Sequence, residues 1–199
     1  MLSVYQLKPR FQQLLSPLLN MMHHKGITPN TITLAAIGLS LIIGIALWFS
    51  PQVPALIWAV PAGLLLRMAL NALDGMMARK YHLQSRWGEV LNELGDVVSD
   101  ILVYLPLLVL VPGKEYIVWL FVLLSVVNEF SGVLAKALGG ERRYDGPMGK
   151  SDRAFTVGLI CLLTGIHAEF ASWLPWVLVL AIALLCLSTY VRIHKSIQS

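Results

Sequence analysis

One stretch of the chain, residues 67–100, reads RMALNALDGMMARKYHLQSRWGEVLNELGDVVSD. It consists of two mainly apolar segments joined by a short basic loop, residues 80–87. Polar or small residues recur every three or four positions: Arg67, Asn71, Asp74 and Ala78 in the first segment, and Gly88, Asn92, Asp96 and Asp100 in the second. This interval places each set on one face of a helix. The stretch therefore predicts two antiparallel helices whose polar faces meet.

The composition of the whole chain excludes a water-soluble globule. Of its 199 residues, 57% are hydrophobic and only 13% are charged, and the mean hydropathy is +0.71. An ordinary soluble domain is roughly a quarter charged. The apolar residues form blocks of about 20, the length of a helix that crosses a bilayer, rather than alternating strands, so a barrel is excluded too. Cys161 and Cys186 lie inside apolar blocks, which predicts core residues and not a disulfide framework or metal site.

These blocks predict an all-α integral membrane protein with six transmembrane helices. Proline and glycine residues mark most of the turns between them, for example Pro29, Pro51, Pro112 and Gly139. No linker or second domain is apparent, so residues 1–199 are predicted to form a single domain with a six-helix bundle over residues 29–191. The predicted spans cover residues 29–49, 54–78, 88–110, 115–138, 152–168 and 172–191.

Residues 1–27 predict an amphipathic helix that lies on the membrane surface. Apolar residues recur there at helical spacing, whereas Lys8, Arg10, Gln12 and Gln13 fall between them. The segment lacks the long apolar stretch and cleavage site of a signal peptide. The apolar face of this helix comprises Val4, Leu7, Phe11, Leu14, Leu15, Leu18 and Met22.

The distribution of basic residues predicts the orientation. Most of the 15 Lys and Arg residues lie at the ends and loops on one side of the predicted spans, whereas the other side carries only Lys114. Basic residues concentrate on the cytoplasmic side of membrane proteins, so both termini are predicted to be cytoplasmic. The same distribution, with anionic lipid headgroups as the partner, explains the net charge of +4 without nucleic acid.

The polar faces of residues 67–78 and 88–100 match level by level when counted from their cytoplasmic ends. Arg67 and Asp100 are the deepest pair, roughly 18 Å from the ends at about 1.5 Å per residue. Because an unpaired charge is costly at that depth, we expect these two residues to form a structural ion pair. The shallower residues, Asp74, Asp96, Asn71 and Asn92, predict an oxygen-rich pocket for a hard divalent cation such as Mg²⁺.

Residues 71–96 resemble the motif of the CDP-alcohol phosphotransferase family, DxxDGxxAR followed after a short loop by GxxxDxxxD. Here the motif reads NALDGMMAR and GEVLNELGD. The segment GITPNTIT, residues 26–33, also resembles the start of the first span in this family. The family motif and residues 71–96 agree in register at Asp74, Gly75, Ala78, Arg79, Gly88 and Asp96.

The resemblance implies an enzyme that transfers a substituted phosphate, such as a phosphatidyl group, from a CDP-linked lipid to an alcohol and releases CMP. CDP-diacylglycerol is the implied donor, and one or two Mg²⁺ or Mn²⁺ ions are the implied cofactor. Asp96 is implied as the catalytic base. The implied metal ligands are Asp74, Asp96, Asn71 and Asn92, and the implied donor-binding residues are Asn71, Gly75, Ala78, Arg79 and Gly88. A bacterial inner membrane location is expected, and a homodimer remains open.

A basic cluster in and after the loop that follows the fourth span predicts the acceptor site. It comprises Arg142, Arg143, Lys150 and Arg153, which would bind a phosphorylated alcohol. Glu129, followed by Lys136 on the same face, lies near the level of Asp96. Basic cytoplasmic loops are general in membrane proteins, so a purely topological role stays open for Arg142 and Arg143.

Two alternatives to an active phosphotransferase follow from the residues. Asn71 and Asn92 stand where the family motif has aspartate. With two fewer carboxylates, the protein could instead be a catalytically impaired or binding-only relative with the same fold. A small transporter is the second alternative, because charges inside spans also mark ion paths. Against it, the charged residues are confined to the cytoplasmic half of the spans.

Overall fold

A computed structural model describes residues 4–198, with side chains described from residue 11 onward. The apolar-face residues Val4 and Leu7, and also Lys8 and Arg10, therefore have side chains outside the described set. No strand occurs within residues 4–198. The α-helices are α1 (Val4–His24), α2 (Pro29–Trp48), α3 (Ala59–Lys80), α4 (Arg86–Tyr104), α5 (Glu115–Ala137), α6 (Lys150–Ile166) and α7 (Leu174–Gln198).

Short 3₁₀ segments extend three of these helices: Pro54–Trp58 leads into α3, Leu105–Leu110 follows α4, and Ala168–Trp173 leads into α7. Polar caps begin two of the site-forming helices. Thr28 accepts from the backbone N–H of Thr31 at 3.3 Å at the start of α2, and Ser85 accepts from that of Gly88 at 3.0 Å at the start of α4. These caps satisfy backbone donors that the first turn of a helix leaves unpaired.

Four helical segments are long and apolar enough to cross a membrane: Pro29–Trp48, Pro54–Lys80, Glu115–Ala137 and Ala168–Gln198. The predicted third and sixth spans differ in detail. In the third predicted span the α-helix ends at Tyr104, just before Pro106. In the sixth, the helix continues to Gln198 instead of ending near residue 191. The segments α4 and α6 fall outside the four because they are shorter and carry the charged residues of the site.

The helices α3 and α4 do not pack directly against each other along their lengths. Instead, α2 packs against both of them. Two adjacent residues of α2 explain this arrangement: Ile43 fits where Gly63 of α3 has no side chain, and Gly44 faces the backbone of α4. A Cβ on Gly44 would lie 2.2 Å from the carbonyl oxygen of Leu102. The polar faces of α3 and α4 therefore face a shared space instead of meeting in a tight seam.

Two apolar clusters lie on either side of the charged residues. The larger joins the ends of α2, α4 and α6 to the beginnings of α3, α5 and α7, with Leu47, Val60 and Val118 fully buried. The smaller joins α1 to α2 and α3, where Leu15 and Leu19 pack with Leu73 and Met77. The predicted apolar face of α1 is thus divided, because Leu14 and Leu18 point away from the protein and are exposed.

We expect Gly44→Ala to destabilise the protein by about 1–3 kcal/mol, because the added methyl group forces α2 away from the backbone of α4. Thermal unfolding of the purified protein in detergent measures the effect. Gly38→Ala is the matched control, since a Cβ on this residue of the same helix would have no neighbouring atom within 4 Å. Equal melting temperatures for the two variants would contradict this packing.

Candidate functional site

A cavity of about 1050 Å³ opens between α3 and α4 and contains most of the residues that the motif singles out. Asn71, Asp74, Gly75, Ala78 and Arg79 line it from α3, and Gly88, Asn92 and Asp96 line it from α4. Residues from α1, α2 and the segment before α6 complete its wall. The structure thus brings the predicted metal ligands and donor-binding residues to one space.

Two hydrogen bonds hold the Asp74 carboxylate in the cavity wall. Its Oδ2 accepts from Thr33 Oγ1 at 2.9 Å, and its Oδ1 accepts from the Gly75 N–H at 2.6 Å. Thr33 belongs to α2, so α2 fixes the orientation of a carboxylate on α3. Sequence reasoning did not single out Thr33 as a site residue, although it is the last residue of the segment GITPNTIT that resembles the family.

Gly75 and Gly88 provide space for polar side chains on the cavity wall. A Cβ on Gly75 would lie 3.3 Å from Arg79 Nη1, and a Cβ on Gly88 would lie 2.9 Å from Asn30 Oδ1. The Arg79 side chain has no hydrogen bond or ion pair within the described part of the chain, and Arg79 lines the cavity. An unpartnered guanidinium with five donors suits the oxygens of a phosphate or diphosphate.

Asp96 lies across the cavity and forms an ion pair with Lys150, the first residue of α6. Both side chains are partly exposed to the cavity, Asp96 by 13% and Lys150 by 23%. The backbone N–H of Gly149 donates to Asp152 at 3.0 Å and starts α6 at this position. The start of α6 is thereby fixed beside the carboxylate that the resemblance implies as the base.

The donor set fits a hard divalent cation. Two carboxylates and two carboxamides supply oxygen atoms only, which is the preference of Mg²⁺ and Mn²⁺, and Mg²⁺ usually keeps waters and substrate phosphates in its shell. Within residues 11–198, however, no group of three or more His, Cys, Asp and Glu side chains is placed to hold a metal ion. A cation here would therefore depend on Asp74, Asp96, amide oxygens and the substrate itself.

Next to the cavity, four buried charges form a layer that we call the polar layer: Arg67, Asp100, Glu129 and Arg153, of which Glu129 also lines the cavity. Arg67 Nη2 lies 2.6 Å from Asp100 Oδ1, so the structure places the two predicted partners in contact. The pair is not isolated, because Arg153 Nη2 lies 2.7 Å from both Asp100 Oδ2 and Glu129 Oε1. These contacts link α3, α4, α5 and α6.

The polar layer changes the interpretation of Arg153. The sequence predicts it as an acceptor ligand, but its side chain is fully buried, is held by Asp100 and Glu129, and does not line the cavity. The reason is that Arg153 lies in the first turn of α6, which faces the bundle interior. Nothing in the spacing of residues 139–155 indicates which basic residue points inward.

The remaining predicted acceptor residues separate into two groups. Arg142 lines the cavity and bridges Glu93 at 2.8 Å and Glu129 at 2.9 Å. Burial lowers the pKa of Arg142, but Tyr144 and these two carboxylates more than offset this and hold it above its ordinary value. Arg143 lies outside the cavity wall, since its backbone N–H donates to the Gly132 carbonyl and its side chain points toward α7.

Arg192 of α7 is a cavity residue that sequence reasoning missed. It is only 2% exposed, and it donates to the carbonyl oxygens of Asn128 at 2.7 Å and Asp145 at 3.1 Å. No carboxylate lies within 4 Å of its guanidinium among residues 11–198. A buried cation that is bonded to carbonyls and faces a cavity is a candidate for binding an anion.

The loop that carries Arg142 is docked on α7 near Arg192. Lys195 Nζ lies 2.5 Å from the Asp145 carboxylate, and the hydrogen bond from Lys195 lowers the pKa of that carboxyl. Ser188 donates to the Asp145 carbonyl at 3.1 Å. Gly146 follows with φ of 89° and approaches Ser188 closely, so this turn needs glycine.

Comparison with known proteins identifies relatives along most of the chain. A family model described as CDP-alcohol phosphatidyltransferase matches residues 26–193. Inner membrane protein YnbA of Escherichia coli (strain K12) is 45% identical over 172 residues, which cover 86% of this chain and 85% of that protein. An uncharacterized protein of Aquifex aeolicus (strain VF5) is 34% identical over 97 residues, 49% of this chain and 47% of that protein.

Solved structures of Mycobacterium tuberculosis phosphatidylinositol phosphate synthase (PgsA1) share the fold. The structure with CDP-DAG bound aligns with a TM-score of 0.76 and 20% identity over 92% of this chain and 94% of that one. The complex with manganese and citrate aligns with a TM-score of 0.74 and 21% identity over 89% of this chain and 87% of that one. At these identities the likeness shows a shared fold alone.

We expect Asp100→Asn to cost about 3 kcal/mol of stability, because it leaves the buried Arg67 without a carboxylate and the buried Arg153 with Glu129 alone. Glu89→Gln on the same helix is the matched control. Its partner is Lys136 and both side chains are half exposed, so the loss should stay below about 1 kcal/mol. Thermal unfolding in detergent compares the two variants, and similar losses would argue against the polar layer as a structural constraint.

Proposed function

We propose a reaction for this chain, which belongs to the CDP-alcohol phosphatidyltransferase family: transfer of a phosphatidyl group from a CDP-linked lipid to an alcohol, with release of CMP. The observation that carries the proposal is the position of Asp74, Asp96 and Arg79 around one cavity, where the Arg79 guanidinium has no partner among residues 11–198. Opposite charges around that cavity suit a diphosphate and the cation that neutralises it.

The proposed setting is a bacterial inner membrane, as the name of the YnbA relative describes for that protein. We add α4 and α6 to the four apolar segments as spans whose charged residues face the protein interior, for a total of six. Residues 1–199 form one domain in this proposal, and α1 lies at the membrane surface with Leu14 and Leu18 directed to lipid. The cavity and both termini face the cytoplasm.

The proposed donor is CDP-diacylglycerol, which is bound in the related PgsA1 structure. Its diphosphate would lie beside Arg79, and its acyl chains would remain in the bilayer. Asp74, Asp96, Asn71 and Asn92 would hold one Mg²⁺ or Mn²⁺, which would supply positive charge to the diphosphate oxygens. A complex of PgsA1 with manganese supports the choice of a divalent ion.

In the proposed step, the acceptor hydroxyl oxygen attacks the β-phosphorus of the donor, and its proton passes to Asp96. A new phosphorus–oxygen bond forms to the acceptor while the bond to the CMP oxygen breaks, and CMP leaves with the electron pair. The guanidinium of Arg79 stabilises the charge that develops on the phosphate oxygens. Hydrogen bonds from Thr33 and Gly75 keep the Asp74 carboxylate in one orientation on the α3 side of the cavity.

The acceptor side of the cavity favours an alcohol that carries an anionic group, such as a phosphate. Arg142, Lys150 and Arg192 line this side, and Arg192 has no carboxylate partner among residues 11–198. We therefore assign the acceptor anion to Arg192 and Arg142. Arg143 and Arg153 lie outside the wall and enter the proposal only through their effect on the loop and the polar layer.

A binding-only relative is the second candidate function. The pair between Asp96 and Lys150, together with Asn71 and Asn92, reduces the negative charge available to a cation. Such a protein would bind the CDP-lipid without turning it over. A measurement of turnover separates the two candidates.

We expect purified protein in detergent, supplied with CDP-diacylglycerol, Mn²⁺ and a panel of alcohols and phosphorylated alcohols, to release CMP. Asp96→Asn should lower the rate at least about 100-fold, because it removes the proton acceptor. Glu89→Gln, another acidic cavity residue of α4 with no role in the proposed step, is the control. Nucleotide binding without CMP release for every acceptor would favour the binding-only candidate.

We expect Arg192→Gln to raise the KM for a phosphorylated acceptor about ten-fold or more with a smaller change in kcat, because an anion contact is lost. Arg143→Gln, a neighbouring basic residue outside the cavity, should leave KM unchanged. Ser188→Ala loosens the Asp145 turn without touching the cavity and controls for indirect effects. An equal KM increase in Ser188→Ala would contradict direct contact by Arg192.

A further inference from the structure

Lys150 occupies an unusual position for a residue of a cation site. Its ammonium group forms an ion pair with Asp96, one of only two carboxylates among the four proposed ligands. Lys150 comes from α6, whereas all four ligands come from α3 and α4. A positive charge from a third helix is thus built into the wall where a cation would otherwise be the partner of Asp96.

The other three proposed ligands carry too little negative charge to offset the Lys150 ammonium group. Asn71 and Asn92 are neutral, and Asp74 already accepts hydrogen bonds from Thr33 and Gly75. No third acidic, histidine or cysteine side chain joins them in a metal-binding group within residues 11–198. Two divalent ions would therefore bring four positive charges to two carboxylates that already face an ammonium group, which electrostatic repulsion strongly disfavours.

We infer that this site holds a single divalent cation, between Asp74 and Asp96 Oδ2, and that the Lys150 ammonium group takes the place of a second cation at Asp96 Oδ1. This inference rests on the proposed function and specifies its cofactor. Lys150 is a positioning residue in this account: it holds the Asp96 carboxylate and supplies a fixed positive charge. The Lys150 ammonium group belongs to the chain itself, so the position of the second cation needs no metal ion.

The neighbouring cations do not share this position. Arg142 pairs with Glu93 and Glu129, and Lys136 pairs with Glu89. Lys136 lines the same cavity and carries the same charge as Lys150, but its carboxylate partner is not among the proposed ligands. It therefore offers a matched control for the effect of removing one positive charge from the cavity.

The experiment counts Mn²⁺ ions on the full-length protein in detergent, without donor or acceptor, from the electron paramagnetic resonance signal of free Mn²⁺. The wild type should bind one ion per chain. Lys150→Gln should bind Mn²⁺ roughly ten-fold more tightly, because a positive charge near the ion is removed. Lys150→Arg should match the wild type, and Lys136→Gln should change the affinity much less.

A variant with Asn71→Asp and Asn92→Asp together should bind two ions per chain, since it carries four carboxylate ligands. Two ions on the wild type, no ion on the wild type, or an unchanged affinity in Lys150→Gln would each overturn the inference. Circular dichroism confirms that each variant is folded before counting. Because no substrate is present, ion counting can fail while CMP release succeeds, so failure of this inference is distinguishable from failure of the proposed function.

Discussion

Four buried charged side chains, Arg67, Asp100, Glu129 and Arg153, connect four helices next to the cavity. Removing one partner of a buried ion pair is strongly destabilising, because the remaining charge is left uncompensated. The balance of two guanidinium groups against two carboxylates therefore restricts how α3, α4, α5 and α6 can be arranged. This constraint places the oxygen-rich faces of α3 and α4 across an open cavity, and each of the two helices packs against α2.

The polar layer also divides the molecule into halves with different roles. On one side, the large apolar cluster around Leu47, Val60 and Val118 closes the bundle. On the other side lie the cavity, the caps of α4 and α6, and the docked loop with Arg142. The charges of the cavity thus have no polar continuation through the large apolar cluster, which does not favour a transport path.

The sequence predicted the parts of this arrangement that depend on local spacing. The intervals of three and four residues in 67–100 correctly place Asn71, Asp74, Asn92 and Asp96 on faces that line one cavity. They could not reveal the role of Arg153 or Glu129, because those residues come from helices whose packing is set by contacts far apart in the chain. For the same reason the sequence did not indicate that Arg192 is a buried residue of the cavity. The direct packing expected of α3 and α4 was wrong because Gly44 and Gly63 let α2 contact both.

In the proposed enzyme, the oxygen atoms of Asn71, Asp74, Asn92 and Asp96 converge on the cation that accompanies the donor diphosphate. Anomalous scattering from Mn²⁺ in crystals of the protein grown with CDP-diacylglycerol tests this convergence most directly. We predict an anomalous peak within coordination distance of Asp74 and of the donor diphosphate, inside the cavity between α3 and α4. A bound donor with its diphosphate outside this cavity, or with Mn²⁺ held by other residues, would contradict it.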